Sequence, residues 1–467
     1  MDAVDLAFTS ALDQARLIRQ KEISPLELTE LYLERIDRLN PQLGAFFTVM
    51  SDRAIDDAKA KTEQLATATD LPPLFGVPIS IKDLAPVADV PCSYGVKILR
   101  NRIDPEAGVV TRIRKAGCIV LGKTATSQLG STPFTEPKGF PPARNPWNLD
   151  YTPGGSSGGA AAAVAAGLGA IAHGSDGGGS IRGPAFCCGL VGIKPARGRV
   201  SHAPVGDKVS GLATDGAIAR TVRDAAALLD AMSGHILGDP YWLPDPESSF
   251  LSAADRAPRS LRIAYATEIQ PIGVFDPVCT QVIESTVQLL EEMGHSVESI
   301  ALDFSDLMEP LIAVWQAGVD VGVPPIFLDP LNRWLRKRSR RRGMYLRAVM
   351  QMQACARKIV AQLDPFDVLV LTPFLHQTIR VGEWANLRPV KAFEKIVNWV
   401  APSPPFNATG QPAIAIPTGF APNGLPVGVQ LIGRPADEAT LISLAAQIEA
   451  TRPWQQHRPA IDSPKLN

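Results

Sequence analysis

TPGGSSGGAAAAVAAGLGAIAHGSDGGGSIRGPAFCCGLVGIKPARGRVS, residues 152–201, places two Gly/Ser clusters on either side of an Ala-rich segment. The first, Gly-Gly-Ser-Ser-Gly-Gly at 154–159, leads into a predicted helix whose small residues allow close packing, with His173 at its end. The second, Gly177-Gly178-Gly179-Ser180, offers consecutive amide donors beside a hydroxyl. Consecutive N–H groups in a turn are what a developing oxyanion requires. Either cluster taken alone reads equally well as a Gly-rich linker between helices.

The text around this stretch has α/β texture. Residues 1–65 read as helical. Ser24 is an N-cap, Pro25 the first helical residue and Glu27 the reciprocal cap, followed by Leu28, Leu31, Tyr32, Ile36 and Leu39 at helical spacing. From Leu74 short β-branched runs bounded by Gly and Pro take over: GVPISIKDL (76–84), CIVLGKT (118–124), LRIAYA, FDVLVLTP, AIAIPTG and LPVGVQLIG. Alternating with helical segments, they predict a mostly buried sheet. Between about 236 and 400 helices dominate; strands return at 411–433, and a helix follows over 438–450.

Two formal motif matches fail on local structure. Gly117-Cys-Ile-Val-Leu-Gly122-Lys123-Thr124 fits the phosphate-loop pattern G-x-x-x-x-G-K-T. That loop needs a strand before its first Gly, whereas Gly117 follows a helix end and reads as its cap, with the next four residues themselves a strand. Gly155-Ser-Ser157-Gly-Gly159 fits the G-x-S-x-G nucleophile elbow. An elbow ends a buried strand, and Pro153 makes the preceding segment a poor one.

The paired clusters resemble the amidase signature family. That family has a Gly-Gly-Ser-Ser-Gly-Gly turn and, 24 residues on, Gly-Gly-Ser-Ile-Arg; Ser156 and Ser180 keep this spacing. Its lysine at the end of a Gly-Val-Pro-x-x-x-Lys strand is matched by Lys82, 74 residues before Ser156. Asn145-Pro-Trp147 and Gly424–Gly433 are similar too, and the resemblance fades only over about 236–400. It implies an α/β amidase signature fold, a large mixed sheet covered on both faces by helices. It also implies one amidase domain: N-terminal helices (1–65), a catalytic core (66–235), a mainly helical segment covering the substrate entrance (236–400), and returning strands with a C-terminal helix (401–467).

Carried over residue by residue, the resemblance makes Ser180 the acylated nucleophile, Ser156 a bridging serine on a cis peptide and Lys82 the base. Gly177, Gly178 and Gly179 with Ser180 would form the oxyanion hole. Ser157, Asp176 and Arg182 would hold the loop. A buried neutral lysine is one of few alternatives to histidine as a base for serine, and the six histidines are scattered. No carboxylate is expected beside Lys82, with Asp83 on the opposite face. The family's usual Gly-Thr-Asp-x-Gly-Gly-Ser reads Gly174-Ser-Asp-Gly-Gly-Gly-Ser180 here, so Gly177 adds backbone freedom. This variant resembles the branch of 6-aminohexanoate cyclic-dimer hydrolases. Hydrolysis of a small linear or cyclic amide is implied, with no metal or cofactor. The alternative is an A-type subunit of a glutamine-dependent tRNA amidotransferase; a binding protein on an inactive scaffold is disfavoured because all three catalytic positions are intact.

Composition agrees with an enzyme of small molecules. The chain has 467 residues with 46 Lys+Arg against 47 Asp+Glu, a net charge of −1, which gives no general attraction to nucleic acid or anionic membrane. Gly and Pro, 38 and 41 residues, are too few for a low-complexity chain. The longest apolar stretch, 158–172, is 15 residues, short of the ~20 a spanning helix needs. No secretory signal is visible, so a cytoplasmic enzyme with reduced, buried thiols is expected, including Cys187 and Cys188. A homodimer is compatible with this reading. The basic run Arg333–Arg342 reads as a solvated helix face anchored by Trp334 and Leu335.

Overall fold

The computed structural model describes residues 2–68, 70–339 and 344–462. Its centre is an eleven-stranded sheet. In spatial order the strands are Phe46–Val49, Ile119–Thr124, Pro78–Lys82, Ile171–Asp176, Thr214–Ala219, Val191–Lys194, Ala413–Phe420, Pro426–Gly433, Val368–Leu371, Arg262–Tyr265 and Ser296–Ser299. Parallel pairs lie toward the two ends, and the middle of the sheet is antiparallel. Helices cover both faces, so the central strands are buried along their whole length, while the edge strand Ser296–Ser299 is largely exposed. This is why strands such as Val368–Leu371 and Pro426–Gly433 read as near-continuous apolar runs rather than alternating ones. A small second sheet joins Leu302–Asp303, Glu268–Gln270 and Gly273–Val274. Among the described residues no helix is long and apolar enough to cross a membrane.

Local signals place the elements that carry the site. The helix Pro25–Leu43 has the capping box of Ser24 and Glu27 and ends at Gly44 in the left-handed region. The helix Gly108–Lys115 ends in a Schellman pair, Gly117 N–H to Arg114 O (3.0 Å) and Cys118 N–H to Ile113 O (3.3 Å). The first glycine of the phosphate-loop pattern is therefore a helix stop, and its lysine lies inside the strand Ile119–Thr124. Lys123 is buried, with Nζ 2.8 Å from Asp83 Oδ1; Ser93 donates to the same carboxylate through its amide (2.9 Å) and hydroxyl (2.5 Å).

Three expectations are corrected. The Ala-rich helix runs only over Gly158–Ala165. Gly167 (φ +65°) closes it with another Schellman pair, Gly167 N–H to Val164 O (3.2 Å) and Leu168 N–H to Ala163 O (2.8 Å). His173 thus lies within the strand Ile171–Asp176 instead of ending a helix. Residues 1–65 also contribute a strand, Phe46–Val49, to the sheet edge. The 236–400 segment is mainly helical and supplies the strands read in LRIAYA and FDVLVLTP, but it also adds one not expected, Ser296–Ser299, to the large sheet.

In the basic run, Leu335 is buried, Trp334 packs on Phe393 (ring centroids 5.4 Å apart), and Arg333, Lys337 and Arg338 are exposed. Arg336 bonds Asp320, and residues 340–342 lie outside the described residues. All six cysteines are unpaired; Cys355 is half-buried and the other five are buried.

The Lys123–Asp83 pair makes a stability prediction. Lys123→Met leaves a buried carboxylate without its counter-charge and is expected to cost about 3–5 kcal/mol in denaturant unfolding. Adding Asp83→Asn, which keeps an acceptor for Ser93, is expected to recover more than half of that. Nucleotide triphosphates are expected to leave the wild-type Tm unchanged. A loss under about 1 kcal/mol, or a Tm raised by nucleotide, would contradict the structural role given to Lys123.

Candidate active site

Lys82 is the last residue of a central strand and is fully buried. Its Nζ donates to Ser156 Oγ at 2.7 Å and to the Ser175 carbonyl at 3.0 Å. Burial pushes its pKa down to about 7, although the carboxylates of Asp176 and Asp215 pull it back upward. The expectation of no nearby carboxylate is therefore corrected: two lie close enough to act. Asp83 instead turns to Lys123 and Ser93.

Ser156 sits on the tight turn before the helix Gly158–Ala165, and the Gly155–Ser156 peptide is cis. A Cβ on Gly155 would strike the Phe134 amide at 2.5 Å, so glycine is required there for space. Thr135 Oγ1 donates to the Gly154 carbonyl (3.0 Å) and accepts from the Gly158 amide (3.2 Å), which clips the turn from outside. Ser157 holds it from within. Its hydroxyl donates to the Ser175 carbonyl (3.2 Å) and accepts from the Ser175 amide (3.3 Å). Its own amide donates to the Ser180 carbonyl at 3.3 Å. The turn bearing Ser156 and the loop bearing Ser180 are thereby tied together.

The Ser180 loop is organised by Asp176, at the end of the strand Ile171–Asp176. Asp176 accepts from the amides of Gly179 (2.7 Å), Ile181 (3.1 Å) and Arg182 (3.4 Å). Arg182 adds a bidentate pair, Nε and Nη2 each at 3.0 Å. Burial opposes ionisation of this carboxyl, but Arg182, Lys194 and Asn407 hold it below the usual carboxylate range. Asp176 and Arg182 are both fully buried, so the pair is internal to the loop. Arg182 also donates to the Ser403 carbonyl (3.0 Å), Gln430 Oε1 (2.9 Å) and Asn407 Oδ1 (2.6 Å).

Because the Gly179 amide is engaged by Asp176, the loop's other amides are the open ones. Those of Gly177, Gly178 and Ser180 donate to no protein acceptor among the described residues. The left-handed conformation belongs to Gly179 (φ +113°), not to Gly177. A Cβ on Gly177 would lie 3.3 Å from the Trp315 indole, a tight contact that the indole would have to ease by a few tenths of an ångström.

Asn407 and Gln430 were not singled out in the sequence. Gln430 did leave a trace, as the one polar side chain in the apolar strand Pro426–Gly433. A second buried polar cluster was also missed. Asp215 accepts from His173 (3.2 Å), His202 (3.2 Å) and Lys208 (3.0 Å). Burial lowers the pKa of His173, while Lys208 and the two histidines keep that of Asp215 low against its own burial. The other nitrogen of His173 is buried without a hydrogen-bond partner, so the histidine packs in the interior and belongs to no Ser-His-Asp triad. Cys187 and Cys188 behave as structural thiols, burial pushing Cys187 up to about 12 and Cys188 well above its ordinary value.

A cavity of about 760 Å³, counted with the space at its mouth, opens above Ser180. Gly155, Gly178 and Gly179 share its floor with the serine. Its walls come from the helices Ser305–Ala317 and Pro389–Val400 and the turn after them.

The sequence profile described as Amidase matches residues 27–442. A putative amidase of Synechocystis sp. is 49% identical over 459 residues, covering 97% of this chain and 90% of the relative. A 6-aminohexanoate-cyclic-dimer hydrolase of Paenarthrobacter ureafaciens is 35% identical, with 99% of each chain covered. A solved structure of 6-aminohexanoate cyclic dimer hydrolase superimposes with a TM-score of 0.90 at 31% identity, covering 98% of this chain and 99% of the other. The fold, the spacing of the two serine loops and these matches lead to one conclusion: the chain belongs to the amidase family.

Proposed function

We propose that this protein hydrolyses carboxamides through an acyl-enzyme on Ser180, with Ser156 as relay and Lys82 as base. The observation that carries the reading is the 2.7 Å bond from Lys82 to Ser156 made by a lysine whose burial brings its pKa to about 7. At pH 7 an ordinary lysine is neutral in roughly one molecule in 2,500; burial of Lys82, which pushes it down to about 7, makes the neutral form far more abundant.

Neutral Lys82 accepts the Ser156 proton while Ser156 Oγ accepts that of Ser180. Ser180 Oγ bonds to the amide carbon, and the carbonyl electrons move onto oxygen, which meets the open amides of Gly177, Gly178 and Ser180. The proton returns through Ser156 to the amide nitrogen, the C–N bond breaks, and the amine departs. Water repeats the sequence on the ester and frees Ser180. Asp176, Arg182 and Ser157 position the loops and do not touch the reacting atoms. The kinship with 6-aminohexanoate-cyclic-dimer hydrolases supports amides as substrates. The subunit alternative predicts that the chain is inert until partner chains and glutamine are supplied.

Ser180→Ala is expected to lower kcat on a simple anilide by ~10³-fold or more with unchanged circular dichroism, and a fluorophosphonate is expected to label Ser180. Chelators are expected to leave the rate untouched. If Ser157→Ala were the inactive variant and Ser180→Ala turned over normally, the nucleophile would be misassigned. An isolated chain that cleaves no amide until glutamine and partner subunits are added would favour the alternative.

The pH dependence follows from the direction of the Lys82 shift. The active form is the deprotonated one, so kcat/KM is expected to rise with pH, reach half its plateau near 7 and stay high above about 8. An unperturbed imidazole titrates close by, at about 6.5, so the variants decide. Lys82→Ala is expected to lose most activity together with the rise, and Lys82→Arg to restore neither, because a guanidinium stays protonated. A Lys82→Ala enzyme with the wild-type profile at near-normal rate would assign the base elsewhere.

A further inference from the structure

The chamber above Ser180 is built for something without charge. Its walls are Leu311, Trp315, Phe374, Phe393 and Ile396, with Pro404 at the turn, and among the described residues no Asp, Glu, Lys, Arg or His lines it. Among the described residues, the polar side-chain groups lining it are the hydroxyls of Ser131, Thr132 and Ser180 and the indole N–H of Trp315. The first two are committed to the protein. Ser131 Oγ lies 2.9 Å from the Gln128 carbonyl and 2.7 Å from Asn332 Oδ1, and Thr132 Oγ1 donates to the Phe134 carbonyl at 2.9 Å. An ammonium or carboxylate entering this space would lose its water and meet no opposite charge among the described lining residues.

The walls nearest the nucleophile are rigid. Phe374 stacks on Trp399 (centroids 4.0 Å apart) and meets Phe186 edge-on at 5.8 Å. The Trp315 indole lies over the donor loop, 3.3 and 3.6 Å from where a Cβ of Gly177 or Gly178 would stand. The indole thus borders the space beside Ser180. In an acyl-enzyme the amine has gone while the acyl group remains on the serine. The enclosed side must then hold the acyl half, and the open mouth passes amine and water.

Resting on the serine-amidase reading above, we propose that the substrates carry an uncharged, apolar acyl group, aliphatic or aryl, with Trp315 as the residue that sets its fit. Glutamine, with its ammonium and carboxylate on the acyl side, is excluded by the same chamber.

The test is kcat/KM for 4-nitroanilides with one leaving group and varied acyl parts: acetyl, butanoyl, hexanoyl, benzoyl, 6-aminohexanoyl and γ-glutamyl. Hexanoyl or benzoyl is expected to exceed acetyl by roughly 10²-fold, and to exceed 6-aminohexanoyl and γ-glutamyl by about 10²-fold or more. Trp315→Ala is expected to shrink the hexanoyl-to-acetyl ratio about tenfold, mainly through KM, and Trp315→Phe to restore part of it. Ile312, half-buried on the same wall, offers a charge test: Ile312→Glu is expected to shift the ratio toward 6-aminohexanoyl about tenfold. Equal turnover of hexanoyl and 6-aminohexanoyl anilides would overturn the proposal. So would a preference that follows the amine at fixed acyl group. In either case fluorophosphonate labelling of Ser180 would leave the underlying mechanism standing. Failure of both labelling and hydrolysis of every anilide would instead overturn the mechanism.

Discussion

The carboxylate of Asp176 is the fixed point of this structure. Six hydrogen bonds converge on it: three loop amides, two guanidinium nitrogens of Arg182 and the amide of Asn407. An ionised carboxyl with no exposure would be untenable without such partners. Because they come from the Ser180 loop, the following helix and the distant turn at 401–407, satisfying one charge orders three segments at once. The loop's geometry follows. With the amides of Gly179, Ile181 and Arg182 turned toward Asp176, those of Gly177, Gly178 and Ser180 are left without a protein acceptor among the described residues.

Three buried lysines show how the same residue type is put to different uses. Lys123 is neutralised by Asp83 in a paired, structural arrangement. Lys82 and Lys194 have no carboxylate in contact, and burial brings both to about 7. Lys194 donates to the carbonyl of its neighbour Pro195, which has no proton to give. Lys82 donates to a serine hydroxyl, which has one. A depressed pKa alone does not make a base; what distinguishes Lys82 is the group it touches.

Much of this was legible in the sequence wherever the determinants are local. The capping box at Ser24, the stop at Gly117, the buried strands carrying Lys82 and Lys123, and the spacing of the two serine loops all read directly. What was missed is nonlocal or ambiguous. Ala and Gly from 158 to 172 suit a helix and a closely packed strand equally, so the strand of His173 was hidden until Gly167 broke the run. Gly177 looked like a conformational device, but the positive φ falls at Gly179, and what Gly177 packs close to is an indole 138 residues away in sequence. Asn407 and Asp215 acquire meaning from partners on other strands and turns, which no periodicity announces.

The proposed chemistry and the proposed fit draw on different parts of the chain, and one short turn joins them. Lys82, Ser156 and Ser180 lie within a hundred residues of one another, whereas the chamber walls come mostly from residues 308–405. A side chain on the helices Ser305–Ala317 or Pro389–Val400 can change the chamber's shape without altering any partner of Asp176 or Arg182. The turn that follows is different. Ala401, Pro404 and Pro405 line the chamber, while Ser403 and Asn407 between and beyond them hold Arg182. Ser403 Cβ would lie 2.8 Å from a Cβ on Gly179, against the loop itself. A group pressing on Pro404 therefore presses on the acceptors of Arg182, and through it on the amides beside Ser180. On the proposed reading, substitutions on the two helices would change fit alone, whereas those at the turn would reach the loop of Ser180 as well.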